Sequence, residues 1–270
     1  MVETAFDKSE RRTWAGQAEA YAASFARLCA HAAPGLLDAA GVTQGVRVLD
    51  VGTGTGTVAA LACERGAKVT AVDAEPGMVA RAALTAPEAD VRLAALPHLP
   101  FADDEFDAVV ANFVLNHVGR PRETLSELRR VTRPGGRMAV TIWAVPAAAG
   151  QALLGRAVQA AGATRPAHLP ALAPEDDFLR TEQGLAALLA EAGLTDVVCD
   201  TLTWDHRTTV EEWWSGPAAG VATIGRIVTS QSPAVIARIK NHFESLCAEF
   251  AGPGGVLMLP HAALLARGRA

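Results

Sequence analysis

The segment VLDVGTGTG, residues 48–56, decides the fold of this chain. An apolar run ends at Asp50, and glycine then occupies every second position from Gly52 to Gly56. Glycine tolerates positive φ and allows a ligand to approach the backbone closely. Asp73 ends the next apolar run, where a carboxylate can accept two hydrogen bonds from a ribose diol. The pattern predicts a site for a nucleoside cofactor.

Short β-branched runs lie on both sides of this turn and alternate with Ala- and Leu-rich segments of helical length. The predicted strands are 46–51, 67–72, 89–94, 106–113 and 136–143, and the predicted helices between them are 57–65, 77–84 and 121–131. Strict alternation of this kind requires right-handed crossovers and a parallel sheet covered by helices on both faces. The first half is therefore predicted to be a doubly wound α/β structure.

The flanking regions have a different texture. Residues 5–41 are Ala-rich and predict one or two amphipathic helices broken near Pro34-Gly35. After residue 143 an Ala/Pro/Gly-rich stretch, 144–175, precedes a predicted helix at 181–192, a strand at 194–204, a helical region at 208–250 and a last strand at 254–268. No linker divides the chain, so we expect a single domain, 1–270, with a helical cap at 1–41, a cofactor-binding core at 46–143 and a lid and substrate region at 144–250.

Composition narrows the class of protein. The 270 residues are 50% hydrophobic and carry a net charge of -5, which provides no basic field for a nucleic acid. The four cysteines form no C-x-x-C pair, which argues against a disulfide framework and a zinc site. The sequence shows no apolar signal segment and no long apolar span, so we expect a cytoplasmic protein with neither membrane nor metal.

The charge at the turn distinguishes two cofactors. A pyrophosphate needs bare N–H groups at the helix start and would be repelled by Asp50. The methionine part of S-adenosylmethionine carries an ammonium and a sulfonium and no phosphate, so an acidic turn matches it. The alternative is a nicotinamide coenzyme, because Gly54, Gly56 and Ala59 also satisfy G-x-G-x-x-A. A further alternative is a tight βα turn in which Asp50 only caps the helix.

Four segments in order resemble the class I S-adenosylmethionine-dependent methyltransferases of the small-molecule type, similar to the ubiquinone/menaquinone methyltransferases. They are VLDVGTGTG, VTAVDAEPGMVARA, LPFADDEFDAVVANFVLNHV and ELRRVTRPGGRMAV, within residues 46–143. The resemblance implies a Rossmann-like, seven-stranded, mostly parallel sheet whose last strand is antiparallel. It also implies methyl transfer from S-adenosylmethionine to an O, N or C atom of a small metabolite, in secondary metabolism.

The resemblance also assigns cofactor-binding positions. Asp50 and the turn would face the methionine end, Asp73 the ribose, Leu96 an adenine nitrogen through its main-chain N–H, and the Asn112 carbonyl the ammonium. The full predicted cofactor set is Tyr21, Asp50, Gly52, Thr53, Gly54, Gly56, Asp73, Ala74, Met78, Ala95, Leu96, Asn112, Phe113 and His117. At Ala95 the family normally has an Asp that accepts from the adenine amino group. Losing one such bond costs about 1 kcal/mol, unless a neighbour such as His98 substitutes.

Two of the seven histidines are candidate bases. Methyl transfer from a sulfonium mainly requires alignment in a dry pocket, and a base helps where the nucleophile must lose a proton. His117 follows the fourth strand and His206 follows the strand at 194–204. The alternatives are that His117 only packs beside the cofactor and that His206 is a solvated loop residue. Arg129 and Arg130 are interpreted as ordinary helix-face charges.

Aromatic residues make up only 5% of the chain, but several of them fall in the two regions that are expected to wall the pocket. This placement favours an apolar or aromatic substrate. The predicted substrate-lining residues are Trp14, Tyr21, Phe25, Trp143, Trp213 and Trp214, although Trp213 and Trp214 could equally be core. Two other classes of function stay open: a nicotinamide-dependent oxidoreductase, and a non-transferring binding or cyclase-like protein that keeps the cofactor. The sequence specifies neither the substrate nor the oligomeric state. A homodimer is one alternative for the oligomeric state.

Overall fold

The computed structural model describes residues 3–270. It contains seven strands, β1 (Arg47–Val51), β2 (Lys68–Asp73), β3 (Asp90–Leu93), β4 (Phe106–Asn112), β5 (Thr132–Trp143), β6 (Thr195–Thr208) and β7 (Leu257–Arg269).

The α-helices in the described part of the chain are α1 (Ala5–Trp14), α2 (Ala18–Ala22), α3 (Ala26–Ala30), α4 (Ala33–Ala39), α5 (Thr57–Glu64), α6 (Pro76–Thr85), α7 (Pro121–Val131), α8 (Leu153–Ala160), α9 (Glu182–Glu191), α10 (Val210–Ala218), α11 (Ala222–Thr229) and α12 (Pro233–Cys247). None of these helices has the length and hydropathy that crossing a bilayer would require.

All seven strands form one sheet in the order β3-β2-β1-β4-β5-β7-β6. Strands β1 to β5 are parallel, whereas β7 is antiparallel to both β5 and β6. The predicted fold class is confirmed, including the antiparallel last strand. The strand order reverses between β1 and β4, and in such sheets ligands bind above the carboxyl ends of the strands at this position.

Two apolar layers cover the sheet. On one face α7 and α9 pack against β4, β5 and β7, and Leu125, Leu128 and Leu185 are fully buried there. On the other face α5 packs against β1 and β2, while α4 packs against β4 and β5, and Leu36 and Leu37 of α4 are also inaccessible. Burial on both faces explains why the central strands are continuous apolar runs instead of alternating ones.

The N-terminal cap differs from the prediction. Four short helices replace the predicted one or two, and Pro34-Gly35 lies inside α4 instead of breaking a helix. Pro34 occupies the first turn of α4, where the missing N–H removes no intrahelical hydrogen bond. Proline interrupts a helix when it lies in the interior, but it can also occupy the first turn, as Pro34 does.

The C-terminal half also corrects the predicted boundaries. Strand β6 continues to Thr208, four residues beyond the predicted end, because it pairs with β7 along its length. The last strand begins at Leu257 and ends at Arg269 instead of spanning 254–268. The helical region at 208–250 consists of three helices, α10 to α12, which form a third apolar cluster around Phe243 and Trp213.

Candidate active site

The glycine turn joins the end of β1 to the start of α5. Gly56 has φ +87° and caps α5, and a Cβ at this position would lie 2.8 Å from the Cα of Ala82 in α6. Gly54 has φ +57° and lines a cavity, where a Cβ would take up ligand space next to the Tyr21 ring. Gly56 is therefore required for the packing of α5 against α6, and Gly54 is required for access to the cavity.

Asp50 lies directly beneath this turn and is 1% exposed. Its Oδ2 accepts a hydrogen bond from the Thr53 hydroxyl at 2.6 Å, whereas Oδ1 has no hydrogen-bond partner in the described chain. Burial raises the pKa of Asp50 to about 7; the Thr53 hydrogen bond lowers it, nearby Asp73 raises it further and the Ala59 amide lowers it. An unsatisfied buried carboxylate favours a cation in its neighbourhood.

Asp73 ends β2 and connects the turn to the next helix. Its Oδ2 accepts from the Gly54 N–H at 2.8 Å and its Oδ1 from the Glu75 N–H at 3.0 Å. Burial raises the pKa of Asp73, and these two amides partly offset that effect. Each oxygen retains a lone-pair position, so the carboxylate can still accept two ribose hydroxyls.

A cavity of about 790 Å³ opens above the carboxyl ends of the central strands. Most predicted cofactor residues line it: Tyr21, Gly52, Gly54, Asp73, Ala74, Met78, Ala95, Leu96, Asn112, Phe113 and His117. The remaining three predicted cofactor residues, Asp50, Thr53 and Gly56, are buried behind the turn. The structure therefore places Asp50 behind the glycine backbone and outside the cavity lining.

The loop after β3 forms the side of the cavity next to Ala74. Ala95 and His98 pair through their backbones, and Ala95, Leu96 and His98 all line the cavity. His98 is thus near the position where the family Asp is missing. Arg130 is more than an ordinary helix-face charge, because it also donates to the carbonyl oxygens of Leu99 and Phe101.

Glu127 completes this attachment. Its Oε1 accepts from the Leu99 N–H at 2.7 Å and from Arg130 Nη2 at 2.7 Å. The carboxylate and the guanidinium on α7 together satisfy three backbone groups of the loop. We infer that this pair holds the loop in place beside the cofactor end of the cavity.

His117 lies in a one-turn 3₁₀ helix after β4 and contacts the cap. Its Nδ1 is 2.8 Å from Glu10 Oε2, and Trp14 Nε1 donates to the same oxygen at 3.2 Å. The Trp14 and His117 rings meet edge-to-face with centroids 5.1 Å apart. A proton on Nδ1, hydrogen-bonded to Glu10, leaves Nε2 with its lone pair.

Tyr21 and Asn112 connect the cap to the sheet. The Tyr21 phenol interacts with the Cys29 thiol, and burial raises the pKa of Tyr21 above its ordinary value. Asn112 Nδ2 donates to the Cys29 carbonyl at 3.1 Å, while its Oδ1 accepts from the Thr141 hydroxyl at 2.6 Å. The Asn112 side chain is therefore a brace between α3 and β5.

Aromatic rings form the wall on the β5 and β7 side. The Phe113 and Trp143 rings stack with centroids 4.1 Å apart, and Trp213 contacts the rings of Phe25 and His261 at 5.2 and 5.5 Å. We call these five side chains, Phe25, Phe113, Trp143, Trp213 and His261, the aromatic wall; all of them line the cavity. Trp14 and Tyr21 line it as well.

The predicted base His206 and the predicted substrate residue Trp214 do not reach the cavity. Trp214 is not part of the lining and stacks on Phe243 in the cluster around α12, so it is a core residue. His206 is neither a loop residue nor a cavity residue, because β6 extends through it and buries it behind Trp213. Burial and neighbouring His261 lower the pKa of His206 to about 4.

Glu10, His261 and Gln151 are among the lining residues that the sequence did not indicate. Glu10 could have been found, because it precedes Trp14 by four residues on a predicted helix and so shares its face. His261 was placed in a strand without a direction for its side chain, and Gln151 lies in a turn with no recognisable signal. Both reach the cavity through pairing and contacts distant in sequence.

The residues at the turn fit S-adenosylmethionine. Gly54 leaves a cradle, Asp73 retains two acceptor positions, and the unpartnered Asp50 oxygen lies below. Asp73 and Glu75 give this end of the cavity a negative field, which matches an ammonium and a sulfonium and opposes a pyrophosphate.

Comparison with known proteins agrees with this geometry. Residues 49–140 match the methyltransferase domain family. A demethylmenaquinone methyltransferase from Beutenbergia cavernae is 39% identical over 176 residues, covering 62% of this chain and 73% of that protein. One from Renibacterium salmoninarum is 40% identical over 111 residues, covering 41% of this chain and 47% of its relative, so that match spans about half the relative's length.

The solved YcgJ protein from Bacillus subtilis has the same fold, with a TM-score of 0.55, 19% identity and coverage of 88% of this chain and 97% of that chain. The fold and the site thus define a class I S-adenosylmethionine-dependent methyltransferase. The chain belongs to this methyltransferase family, and the predicted family and cofactor are confirmed.

Proposed function

We propose that this protein transfers the methyl group of S-adenosylmethionine to an oxygen, nitrogen or carbon atom of a small apolar or aromatic metabolite, in secondary metabolism. The observation that carries this proposal is the continuity of one cavity from the acidic turn at Gly54 to the aromatic wall. A pocket of about 790 Å³ is within the range of small-molecule sites. The names of the menaquinone-pathway relatives, which denote an aromatic apolar acceptor, support the same substrate class.

The cofactor, when bound, supplies an electrophilic methyl group on a positively charged sulfur. The chain's own contribution is alignment and exclusion of water, because the displacement needs the nucleophile, methyl group and sulfur in line. Trp14, Tyr21 and Glu10 cover this part of the cavity from the N-terminal cap. Closure by the cap would exclude water from the reacting groups.

His117 is the base in this proposal where the acceptor atom must lose a proton. Glu10 Oε2 would hold the Nδ1–H tautomer, so Nε2 would be free to take the proton that the acceptor atom loses on methylation. Glu10 then faces an imidazolium and stabilises it by its charge. Glu10 is accordingly a positioning residue and His117 the group that exchanges the proton.

The first experiment separates the classes of function. Calorimetry with S-adenosylmethionine, S-adenosylhomocysteine and NADPH should give heat with the first two only. Mass spectrometry of a cell extract incubated with protein and methyl-deuterated cofactor should show a small aromatic product carrying the label. Heat with NADPH alone would indicate an oxidoreductase; cofactor binding with no labelled small molecule would indicate a non-transferring protein.

The second experiment tests the base. Glu10→Gln should lower kcat about 10- to 100-fold for a hydroxyl acceptor and change its pH profile, with cofactor affinity retained, since general bases contribute factors of this size or larger. Glu19→Gln is the matched control, because Glu19 is exposed and pairs with Arg81 away from the cavity. Equal kcat and pH profiles in Glu10→Gln and wild type would remove the dyad from the mechanism.

A further inference from the structure

The aromatic wall ends in a region without charged side chains. The lining residues contributed by β5, α8, α10, α11, β7 and the turn before α8 include no Asp, Glu, Lys or Arg within the described chain. The arginines that line the cavity in the described chain, Arg11 and Arg120, come from the cap and from the N-cap position of α7. An anionic group would therefore find no counter-charge in this region, and its desolvation would oppose binding.

Gln151 contributes one polar side chain to this region. The N–H groups of Gly150 and Gln151 both donate to the Pro260 carbonyl, at 3.1 and 3.2 Å. The Gln151 Oε1 accepts from the Ala262 N–H at 3.5 Å. These bonds attach Gln151 to β7 on either side of His261. Its Nε2 donates to no atom of residues 3–270, so two N–H groups remain available for a ligand.

His261 contributes the second polar side chain. Its Nδ1 lies 2.8 Å from the Leu259 carbonyl oxygen, which assigns the proton to Nδ1 and leaves the lone pair on Nε2. Burial among the rings of Trp143, Trp204 and Trp213 lowers the pKa of His261, so the imidazole is neutral near pH 7. The ring is therefore a hydrogen-bond acceptor held in a fixed orientation.

We propose that Gln151 and His261 form a subsite for a neutral hydroxyl group on a flat aromatic acceptor. The Gln151 amide donates to the hydroxyl oxygen, and the hydroxyl donates to His261 Nε2. The ring bearing this hydroxyl packs on Trp143 and Trp213, where aromatic stacking adds to the area buried. The inference rests on the proposed function and specifies its acceptor as a neutral hydroxyarene, with aryl phosphates and carboxylates excluded.

The specificity follows from the cost of leaving buried polar groups unpaired. A site built to bind a hydroxyl rejects the analogue that lacks it, because its own donor and acceptor then lose their partners. An unsubstituted arene can fill the same volume and stack on the same rings. The difference in affinity between the two ligands therefore reports on the subsite and not on the wall.

Equilibrium dialysis with 1-naphthol, naphthalene and 1-naphthyl phosphate tests this, using the protein loaded with S-adenosylhomocysteine. Wild type should bind 1-naphthol at least tenfold more tightly than naphthalene, and 1-naphthyl phosphate most weakly. Gln151→Leu and His261→Phe should each weaken 1-naphthol about tenfold and leave naphthalene unchanged. Gln159→Leu, at an exposed position of α8, is the matched control and should keep the wild-type ratio.

Retained 1-naphthol preference in Gln151→Leu would overturn the subsite even if His261→Phe fails to fold. Preferential binding of 1-naphthyl phosphate would also overturn the subsite. The same holds if none of the three arenes binds to a protein that binds S-adenosylhomocysteine. Repeating the dialysis without S-adenosylhomocysteine separates the two proposals. If the cofactor product does not bind, the proposed function fails, while the ratio of naphthol to naphthalene still decides the subsite.

Discussion

The two ends of the cavity differ in charge and in the way the chain builds them. At the β1 and β2 end, Asp73 and Glu75 line the cavity and buried Asp50 lies behind the turn. At the β5 and β7 end the described lining is neutral and is dominated by indole rings. In the proposed function the first end holds the cationic cofactor, which its acidic groups attract, and the second end holds a neutral flat acceptor, because a charged group would be desolvated there without a partner.

The construction of the two ends differs as well. The two features that identify the cofactor end, the glycine turn and the Asp73 carboxylate, lie within 26 residues of sequence from 48 to 73. The acceptor end needs side chains from six elements, α2, β4, β5, α8, α10 and β7, or turns beside them. The cofactor end can therefore be recognised from a local sequence motif, whereas the composition of the acceptor end depends on packing between residues far apart in the sequence.

Trp213→Ala should produce the largest effect. Trp213 is 4% exposed and contacts the rings of Phe25, His206 and His261, so its truncation should lower the free energy of unfolding by about 3–5 kcal/mol. Cofactor affinity should change less than threefold if the two ends are independent. Urea unfolding and calorimetry measure the two quantities.

Trp214→Ala is the control for this variant, because Trp214 is adjacent in sequence but stacks on Phe243 away from the cavity. It should reduce stability and leave 1-naphthol binding unaltered. A Trp213→Ala protein that folds but loses the cofactor would show that the ends are coupled.

Asp73→Ala should have the next largest effect, at the opposite end. The variant loses two ribose hydrogen bonds to a charged acceptor and also the bonds that hold Gly54 and Glu75. Affinity for S-adenosylhomocysteine should fall about 100-fold, or roughly 3 kcal/mol, as measured by calorimetry. Asp90→Ala at an exposed position of β3 should leave it unchanged. Unaltered cofactor affinity in Asp73→Ala would mean that the cofactor binds elsewhere.

The accuracy of the sequence-based predictions follows the same division. The sheet, its crossovers and the glycine turn depend on local patterns, and the structure agrees with them to within a few residues. Pro34 was misjudged because the first turn of a helix tolerates proline, and a sequence does not show where that turn begins. His206 was misjudged because the end of β6 is set by its pairing with β7 and not by its own composition.

The acceptor end could not be derived in this way. Trp213 and Trp214 are neighbours of the same residue type, so the sequence does not distinguish them. The packing of α10 between the cavity and α12 directs Trp213 to the cavity and Trp214 to α12. Gln151 is 110 residues from His261, and β7 pairing brings them together. The sequence indicates only a helix-face charge at Arg130, because the backbone carbonyls that it binds belong to a loop 29 to 31 residues away.

Asp50→Asn should produce a smaller, pH-dependent effect at the cofactor end. Because burial raises the pKa of Asp50 to about 7, the folded state binds a proton that the unfolded state releases between about pH 4 and 7. Stability due to this group therefore falls as the pH rises through that window. The full pKa shift corresponds to about 4 kcal/mol. Because the buried amide also leaves one polar group without a hydrogen-bond partner, the variant without cofactor should be more stable than wild type by about half of that, roughly 2 kcal/mol, at pH 8.

At pH 4 the two proteins should differ much less, since the carboxyl group is then neutral in the folded state and only about half ionised in the unfolded state. Thermal unfolding without cofactor at pH 4, 6 and 8 gives the comparison. A difference between Asp50→Asn and wild type that is independent of pH would show that the carboxylate is not destabilised by burial.

His206→Gln should produce the smallest effect, with the opposite pH dependence, behind the acceptor end. The pKa of His206 is lowered to about 4 because the ring is buried, while His261, Arg27, Glu212 and His31 act on it through their charges. Between about pH 6.5 and 4 the unfolded state binds a proton that the folded state does not, so wild-type stability falls as the pH falls. Removing the imidazole should reduce this loss by about 1 kcal/mol between pH 7 and pH 5, which is less than the full shift because neighbouring groups respond.

His242→Gln, at an exposed position of α12, should retain the wild-type slope of stability against pH. Since the level of stability also changes when Gln is buried, the slope is the informative quantity. Equal slopes in His206→Gln and wild type would mean that His206 takes up its proton in the folded protein, and the neutral character assigned to this side of the aromatic wall would not hold.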